Sequence, residues 1–477
     1  MAKQRSLFFG NLPAKTPRKV GDNRPVPQRR REPLRADQIE MRFASPSVTA
    51  CGGVVLWQAF LERFGFLGWL QAHARMARGA AAFTAPELSR FFLDTRLLGA
   101  ERLHHVDALR QDPLLTRLHG LATLPSDETL GRYFKAFAPS DEASLRALNR
   151  RVLQRGLKRL QRRRPRLNRK GGLPVIVDFD SSTFPSYGEK EGADRGRSFR
   201  YKDHLGFQPK FAFLGGLGLL LHQELCPESE GLGSDFEAFE RAARRELPRF
   251  VRVWAVRGDG ALYCEKRLRR WEGEHLVYAV TARSSAALRE AIAAVPAEAW
   301  SEDVDPDGHC CSLARLTFRP TTWQRARTFV VSRRIKNLRE PNVLWDELRY
   351  EYFAYVTNYR APLRTQFKFC VERCSLENQI KEAKNGLHYG ALPHHELHAN
   401  RAYLAHVQLA HNLFIFWKAL EAPPAVNRWT VETFRARLLN VPANLLRRAQ
   451  TWVLSLPQRW PWQLIFGQLA QPRPAPP

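Results

Sequence analysis

Residues 174–184 read PVIVDFDSSTF. From Pro174 to Val177 the stretch is apolar and β-branched, the pattern of a strand buried at the centre of a sheet. Asp178, Phe179 and Asp180 follow, and then the small polar residues Ser181, Ser182 and Thr183. Strand ends in mixed sheets are where side chains leave the core and enter a cleft. Alternation places Asp178 and Asp180 on one side of the strand and Phe179 on the other. Two neighbouring carboxylates are costly without a cation, so the pair invites a hard divalent ion such as Mg2+.

The next elements set the context of that strand. KFAFLGG (210–216) and LGLLLHQELC (217–226) read as two further strands joined by a tight glycine turn. No helix opens after GGLG (215–218), so a hairpin fits it better than a dinucleotide loop. SDFEAFERAARREL (234–247) is an amphipathic helix, and RFVRVWAVRGDG (249–260) is a fourth strand ending at Asp259. The order is strand, strand, strand, helix, strand. A single terminal aspartate is usually a turn or capping residue, whereas two in this order form the stronger observation.

ERCSLENQIKEAKNGL (372–387) asks whether one of its carboxylates does chemistry. At ~100° per residue, with Arg373 at zero, Glu377, Lys381, Lys384 and Cys370 all fall within about a quarter turn. Phe369, Leu376, Ile380 and Ala383 form an apolar stripe beside them, and Asn385-Gly386 is a good stop. A solvated helix explains the charges but not the apolar border, so Glu377 is the candidate. An Asp on the first strand, an Asp after the fourth and a Glu on a later helix form the arrangement of RNase H-like nucleotidyl transferases. Such a triad can hold two Mg2+ ions.

Composition narrows the partner. Lys+Arg number 75 against 47 Asp+Glu, a formal charge of +28, and nucleic acid is the usual polyanion for such an excess. Seven cysteines with no CxxC pair argue against a disulfide framework or a zinc ribbon. The first residues lack the apolar core of a signal peptide, and GGVVLWQAFLERFGFLGWL (52–70) is too short and too charged to span a bilayer. A reducing, cytoplasmic setting is expected.

The organisation expected is a basic, Pro-rich tail (1–44), a helical DNA-binding domain with a basic linker (45–172), and the first part of the core (173–265). An inserted β-rich domain (266–362), the catalytic helix with the helix after it (363–425), and C-terminal helices with a tail (426–477) complete it. Ser126 is a fitting N-cap. HHELH (394–398) is one residue short of a zinc-protease motif, the adjacent ligands of HCC (309–311) strain a tetrahedral site, and HNLFIFWKAL (411–420) reads as core helix.

At this point the chain resembles a bacterial insertion-sequence transposase of the DDE class, in the group marked by Y-x2-R-x3-E-x6-K. The signature reads here as Cys370, Arg373, Glu377 and Lys384, with Cys in place of Tyr. DFDSSTFPSYGEKEGA (178–193) is similar to the family's first-aspartate stretch, and VRGDGALY (256–263) stands where its second reads R-x-D-S-G-F. GFQPKFAFLGGLGLLLHQEL (206–225) and LRQDPLLTRLHGLATLPSDETLGRYF (109–134) also resemble family segments. The resemblance implies an α/β fold with an RNase H-like mixed sheet, an inserted β domain, a preceding helical DNA-binding domain and following C-terminal helices. It implies Mg2+-dependent (or Mn2+-dependent) cut-and-paste transposition with Asp180, Asp259 and Glu377 as metal-binding catalytic residues and Asp178 as the alternative to Asp180. Arg373, Lys384 and Lys381 would contact DNA, and Trp323 would stack on a flipped base. A homodimer on paired terminal inverted repeats, in the bacterial nucleoid, would be the working form. A nuclease without strand transfer and a catalytically inactive DNA-binding protein are the alternatives.

Overall fold

The computed structural model describes residues 45–72, 82–163, 172–196, 205–305, 308–335, 350–372 and 374–471. For residues 374–378 it describes the backbone alone. The expected N-terminal tail, residues 164–171 of the basic linker and Arg373 lie outside the described residues.

Helices come first. α1 (Val54–Phe64) stops at Gly65 in the left-handed conformation, as a helix C-terminus favours. α2 (Ala85–Leu98) begins with a complete capping box, Thr84 and Glu87 satisfying each other's backbone amides. α3 (Asp127–Lys135) is capped by Ser126, whose side chain accepts from the Thr129 amide. α4 (Pro139–Arg163) follows, with arginines along its solvent side and Leu145, Leu148, Val152, Leu153 and Leu157 along its buried side.

The chain then builds one nine-stranded sheet. β1 (Leu173–Ser181), β2 (Lys210–Leu214) and β3 (Leu219–Glu224) form an antiparallel meander. α5 (Phe236–Arg245) returns the chain, so that β4 (Val251–Gly258) lies parallel to β1. α6 (Glu265–Gly273) is a second crossover, and β5 (Val277–Thr281) lies parallel to β4. β6 (Ser301–Val304), β7 (Cys310–Phe318), β8 (Arg327–Ile335) and β9 (Tyr350–Thr357) are antiparallel, and β9 pairs with β5. The order across the sheet is β6-β7-β8-β9-β5-β4-β1-β2-β3. Strands β5 to β9, within residues 266–362 read from sequence as an insertion, belong to the sheet that carries Asp180.

α7 (Leu363–Val371), α8 (Cys374–Gly386) and the long α9 (Leu397–Glu421) complete this part of the chain. α9 joins helices to sheet. On one side Asn412 bonds both the amide and the carbonyl of Leu220 on β3, and His411 donates to the Gly218 carbonyl (2.7 Å). On the other side Phe416 and Trp417 pack against Trp57, Phe60 and Phe64 of α1. Gly156 makes the close approach of α4 possible, because a Cβ there would stand 2.2 Å from the Phe416 ring. The helical region and the sheet consequently share one hydrophobic core.

Beyond α9 only helices were expected. Besides the helices Val431–Phe434 and Gln463–Ala470 the structure has a hairpin of Ala443–Arg448 and Thr451–Ser455, to which Val48–Thr49 adds a third strand. Leu445 and Leu454 sit directly opposite each other, as do Arg447 and Trp452, so the local period is two. Among the described residues no helix is long and apolar enough to cross a membrane.

Candidate active site

The parallel register of β1 and β4 decides the geometry of the site. Phe179 is level with Gly258, so Asp180 and Asp259 are the next residue on each of two adjacent strands. Neighbouring strands lie about 4.8 Å apart, which makes these two backbone positions neighbours although 79 positions separate them in sequence. Phe179 packs against Phe236 and Phe239 of α5, so Asp178 and Asp180 face the opposite side. α7 and α8 lie on that side.

The two first-strand aspartates have different surroundings. Asp178 is 1 % exposed and accepts two hydrogen bonds from Arg257 of β4, at 2.6 and 2.8 Å. Burial alone would lower the Arg257 pKa, but the bonds and charge of Asp178, with Glu372 beyond, raise it above its ordinary value. Arg257 also donates to the Phe369 carbonyl (2.9 Å). Asp180 stands at the strand end, where its Oδ1 accepts from the Ser181 amide (2.9 Å). Asp259 is half-buried and caps the turn Gly260–Leu262 by accepting from the Ala261 amide (2.9 Å).

α8 is docked onto this strand end. The Lys384 ammonium donates to the Ser182 hydroxyl and the Thr183 carbonyl, both at 3.0 Å, and sits over the Phe184 ring. Ile380 and Ala383 are buried beneath the helix, while Lys381 is exposed. Glu377 belongs to α8, two turns before Lys384, and its side chain lies outside the described residues. Reading residues 369–386 as one helix needs correction, because α7 ends at Val371 and α8 begins at Cys374. Cys370 faces the interior at 1 % exposure, and burial pushes its thiol up to about 12.

Trp323 stands against Tyr263, in the segment that follows Asp259. It is 7 % exposed, packs on Tyr263 with ring centroids 4.7 Å apart, and carries the Arg327 guanidinium over its ring. It meets solvent at the edge of a cavity of about 1080 Å3 that Lys266, Arg269 and Arg283 also line. Stacking a base on it would displace these neighbours.

Sequence reading overlooked Arg257 and Arg283. Arg257 had a visible signal, a charge within the apolar run Trp254-Ala255-Val256, level with an equally misplaced Asp178 on the paired strand. Arg283 had none, because the turn after β5 is what folds its side chain back onto the Gly260 carbonyl (2.7 Å), next to Asp259. Among the described residues no group of three or more His, Cys, Asp or Glu side chains comes together as a metal site. Asp180 and Asp259 nevertheless supply hard oxygen donors from neighbouring backbone positions, a donor set suited to Mg2+.

The sequence pattern of the family described as Transposase DDE domain group 1 matches residues 31–473, nearly the whole chain. The chain belongs to that family. Comparison with curated proteins gives no match. Among solved structures it is similar to the piggyBac transposase, determined by cryo-EM as a synaptic complex with hairpin DNA. That pair shares 10 % identity over 81 % of this chain and 79 % of the other, with a TM-score of 0.40. As a DDE transposase family member the chain is placed among polynucleotidyl transferases, whose chemistry requires acidic residues gathered at one point. The side-by-side ends of β1 and β4 are where this fold brings Asp180 and Asp259 to adjacent backbone positions.

Proposed function

We propose that this protein is an insertion-sequence transposase that cuts the DNA at the ends of its element and joins them to a target. The observation that carries the reading is the placement of Asp180 and Asp259 at the ends of adjacent parallel strands, with α8 anchored against the exit of β1. The antiparallel β1-β2-β3, with β4 and β5 parallel to β1 across helical crossovers, supports an RNase H-like core. Strands β6 to β9 are the β insertion of that core, and residues 45–172 are its DNA-binding helices.

Asp180, Asp259 and Glu377 would hold Mg2+, or Mn2+ in its place. When bound, the metal supplies charge stabilisation at the phosphodiester and acidifies the attacking oxygen. The chain's own residues do the rest. Asp180 and Asp259 fix two carboxylates on backbone that the sheet holds rigid, so little reorganisation accompanies reaction. Asp178 belongs to the scaffold, since both its oxygens are engaged by Arg257. Lys384 positions the exit of β1 and with it Asp180. Arg283, Arg373 and Lys381 would contact phosphate around the scissile bond. The overall reaction is hydrolysis at the element end followed by in-line attack of the freed 3′-OH on target DNA, with two protomers bringing two inverted repeats together.

The test is a plasmid carrying the gene between its native flanks, scored for Mg2+-dependent excision and rejoining. Wild type should excise; Asp180→Asn, Asp259→Asn and Glu377→Gln should each fall by about 10³-fold or more, the loss of several kcal/mol of charge stabilisation. Chelation by EDTA should abolish excision, and Mg2+ should restore it. Cleavage without joining would turn the reading to a nuclease. Full activity in Glu377→Gln would remove α8 from the catalytic set.

A further inference from the structure

We propose that the hairpin of residues 443–455 is a duplex-DNA contact outside the cleavage site, in which Arg117, Arg447 and Arg448 hold the phosphate backbone. The proposal rests on the reading of the chain as a transposase and adds to it a surface remote from Asp180 in sequence and built by both ends of the described chain. At its base the hairpin is tied down, with Val48–Thr49 paired to Ala443–Asn444 and with Leu445 and Leu454 half-buried against the core. From Arg447 to Trp452 every residue is exposed. The arm therefore projects as a ribbon of rigid origin and solvated tip.

Among the described residues Arg117 and Arg447 have no counter-charge. Arg447 faces Trp452 across the hairpin, its guanidinium 6.0 Å from the ring centroid. Arg117, from the helix Pro113–His119, lies over the same ring at 5.0 Å. Neither meets a carboxylate among the described residues, whereas Arg63, Arg150 and Arg327 are each paired with glutamates. Two guanidiniums sharing one indole, in a chain of charge +28, repel each other unless an anion lies between them. Because guanidiniums already lie against the Trp452 ring, the indole orients arginine planes and does not offer a platform for a base. That selects the backbone of a duplex over an unstacked single strand. The arm is also mechanically joined to the site. Glu382 of α8 accepts from the amide of Val431 (3.1 Å), the first residue of the short helix Val431–Phe434 that leads toward the hairpin.

The experiment is a salt series of fluorescence anisotropy with the full chain, using a labelled duplex of one element end and, separately, one of its strands. Wild type should bind the duplex with log K falling linearly in log salt. The R447A/R448A double variant should reduce that slope by about 1.8, at about 0.9 for each phosphate left without its arginine, and R117A by about 0.9. R245A/R249A removes equal charge from exposed positions near the start of β4, the end of the strand opposite Asp259, and should leave the slope near wild type. An unchanged slope in R447A/R448A, or an equal change in the control pair, overturns the proposal. Preferential single-strand binding that the hairpin variants abolish also overturns it, in favour of base stacking. Absence of any DNA binding by wild type would overturn it together with the transposase reading. Asp180→Asn separates the two: it should lose excision yet bind with the wild-type slope.

Discussion

At the scale of single residues, the contrast between Asp178 and Asp180 governs what substitution should do. Asn at 178 leaves Arg257 buried without its anion, which typically costs roughly 3–5 kcal/mol. Asn at 180 keeps an oxygen for the Ser181 amide and leaves no buried cation without its anion, so folding should change less. Urea unfolding should therefore separate the two, Asp178→Asn losing more stability and Asp180→Asn losing excision. His406 offers a second test. It is fully buried, and burial pushes its pKa from the ordinary 6.5 down to about 4. With Nδ1 donating to the Ala402 carbonyl (2.8 Å), Nε2 accepts from Ser89, which Tyr133 supports at 2.7 Å. His394 is likewise pushed down to about 4 by burial. Such groups bind protons more readily when unfolded, so their contribution to stability is complete above pH 6.5 and is lost as pH falls toward 4. Melting temperature should fall across that window, and His406→Gln should flatten the fall.

At the scale of elements, the turn between β2 and β3 and the docking of α8 are the informative features. Gly216 and Gly218 adopt positive φ, as a tight turn demands. Gly215 has a different reason: a Cβ there would stand 2.7 Å from Asp178 Oδ2 and 2.9 Å from Arg257 Nη2. Gly215→Ala should thus overpack a rigid ion pair and cost about 1–3 kcal/mol, measurable as a lower urea midpoint. Lys384 links α8 to β1 through two hydrogen bonds from a charged donor, an anchor of about 1.5–3 kcal/mol. Lys384→Met should slow excision on the order of 10- to 100-fold through misplacement of the strand exit. A retained excision rate in that variant would show that α8 does not depend on this anchor.

At the scale of the whole molecule, α9 makes helices and sheet one folding unit. Trp57, Phe60, Phe64, Phe416 and Trp417 are all fully buried and lie between α1 and α9. A fragment beginning at residue 172 would open that aromatic core to water, at about 25 cal/mol for each Å2 of apolar surface. It should be insoluble or rapidly proteolysed, with no cooperative melt. A folded, cleavage-competent fragment would show instead that the sheet and α9 suffice.

The residues alone determined the elements and the candidate aspartates. Apolar and β-branched runs marked β1 to β4, and Ser126 marked the start of α3, because these signals are local. Tertiary structure alone decided which carboxylates meet. The register that sets Phe179 level with Gly258 depends on α5 bringing β4 beside β1, which no local pattern encodes. It also decided that Asp178 is matched to Arg257, that Cys370 is interior, and that β5 to β9 belong to one sheet with β1. The hairpin at 443–455 is illegible in the sequence because only two residues on each strand carry its alternation and its support comes from Val48–Thr49, some 400 positions away. Local periodicity fixes what a segment can become; burial against distant partners settles which charges stand together.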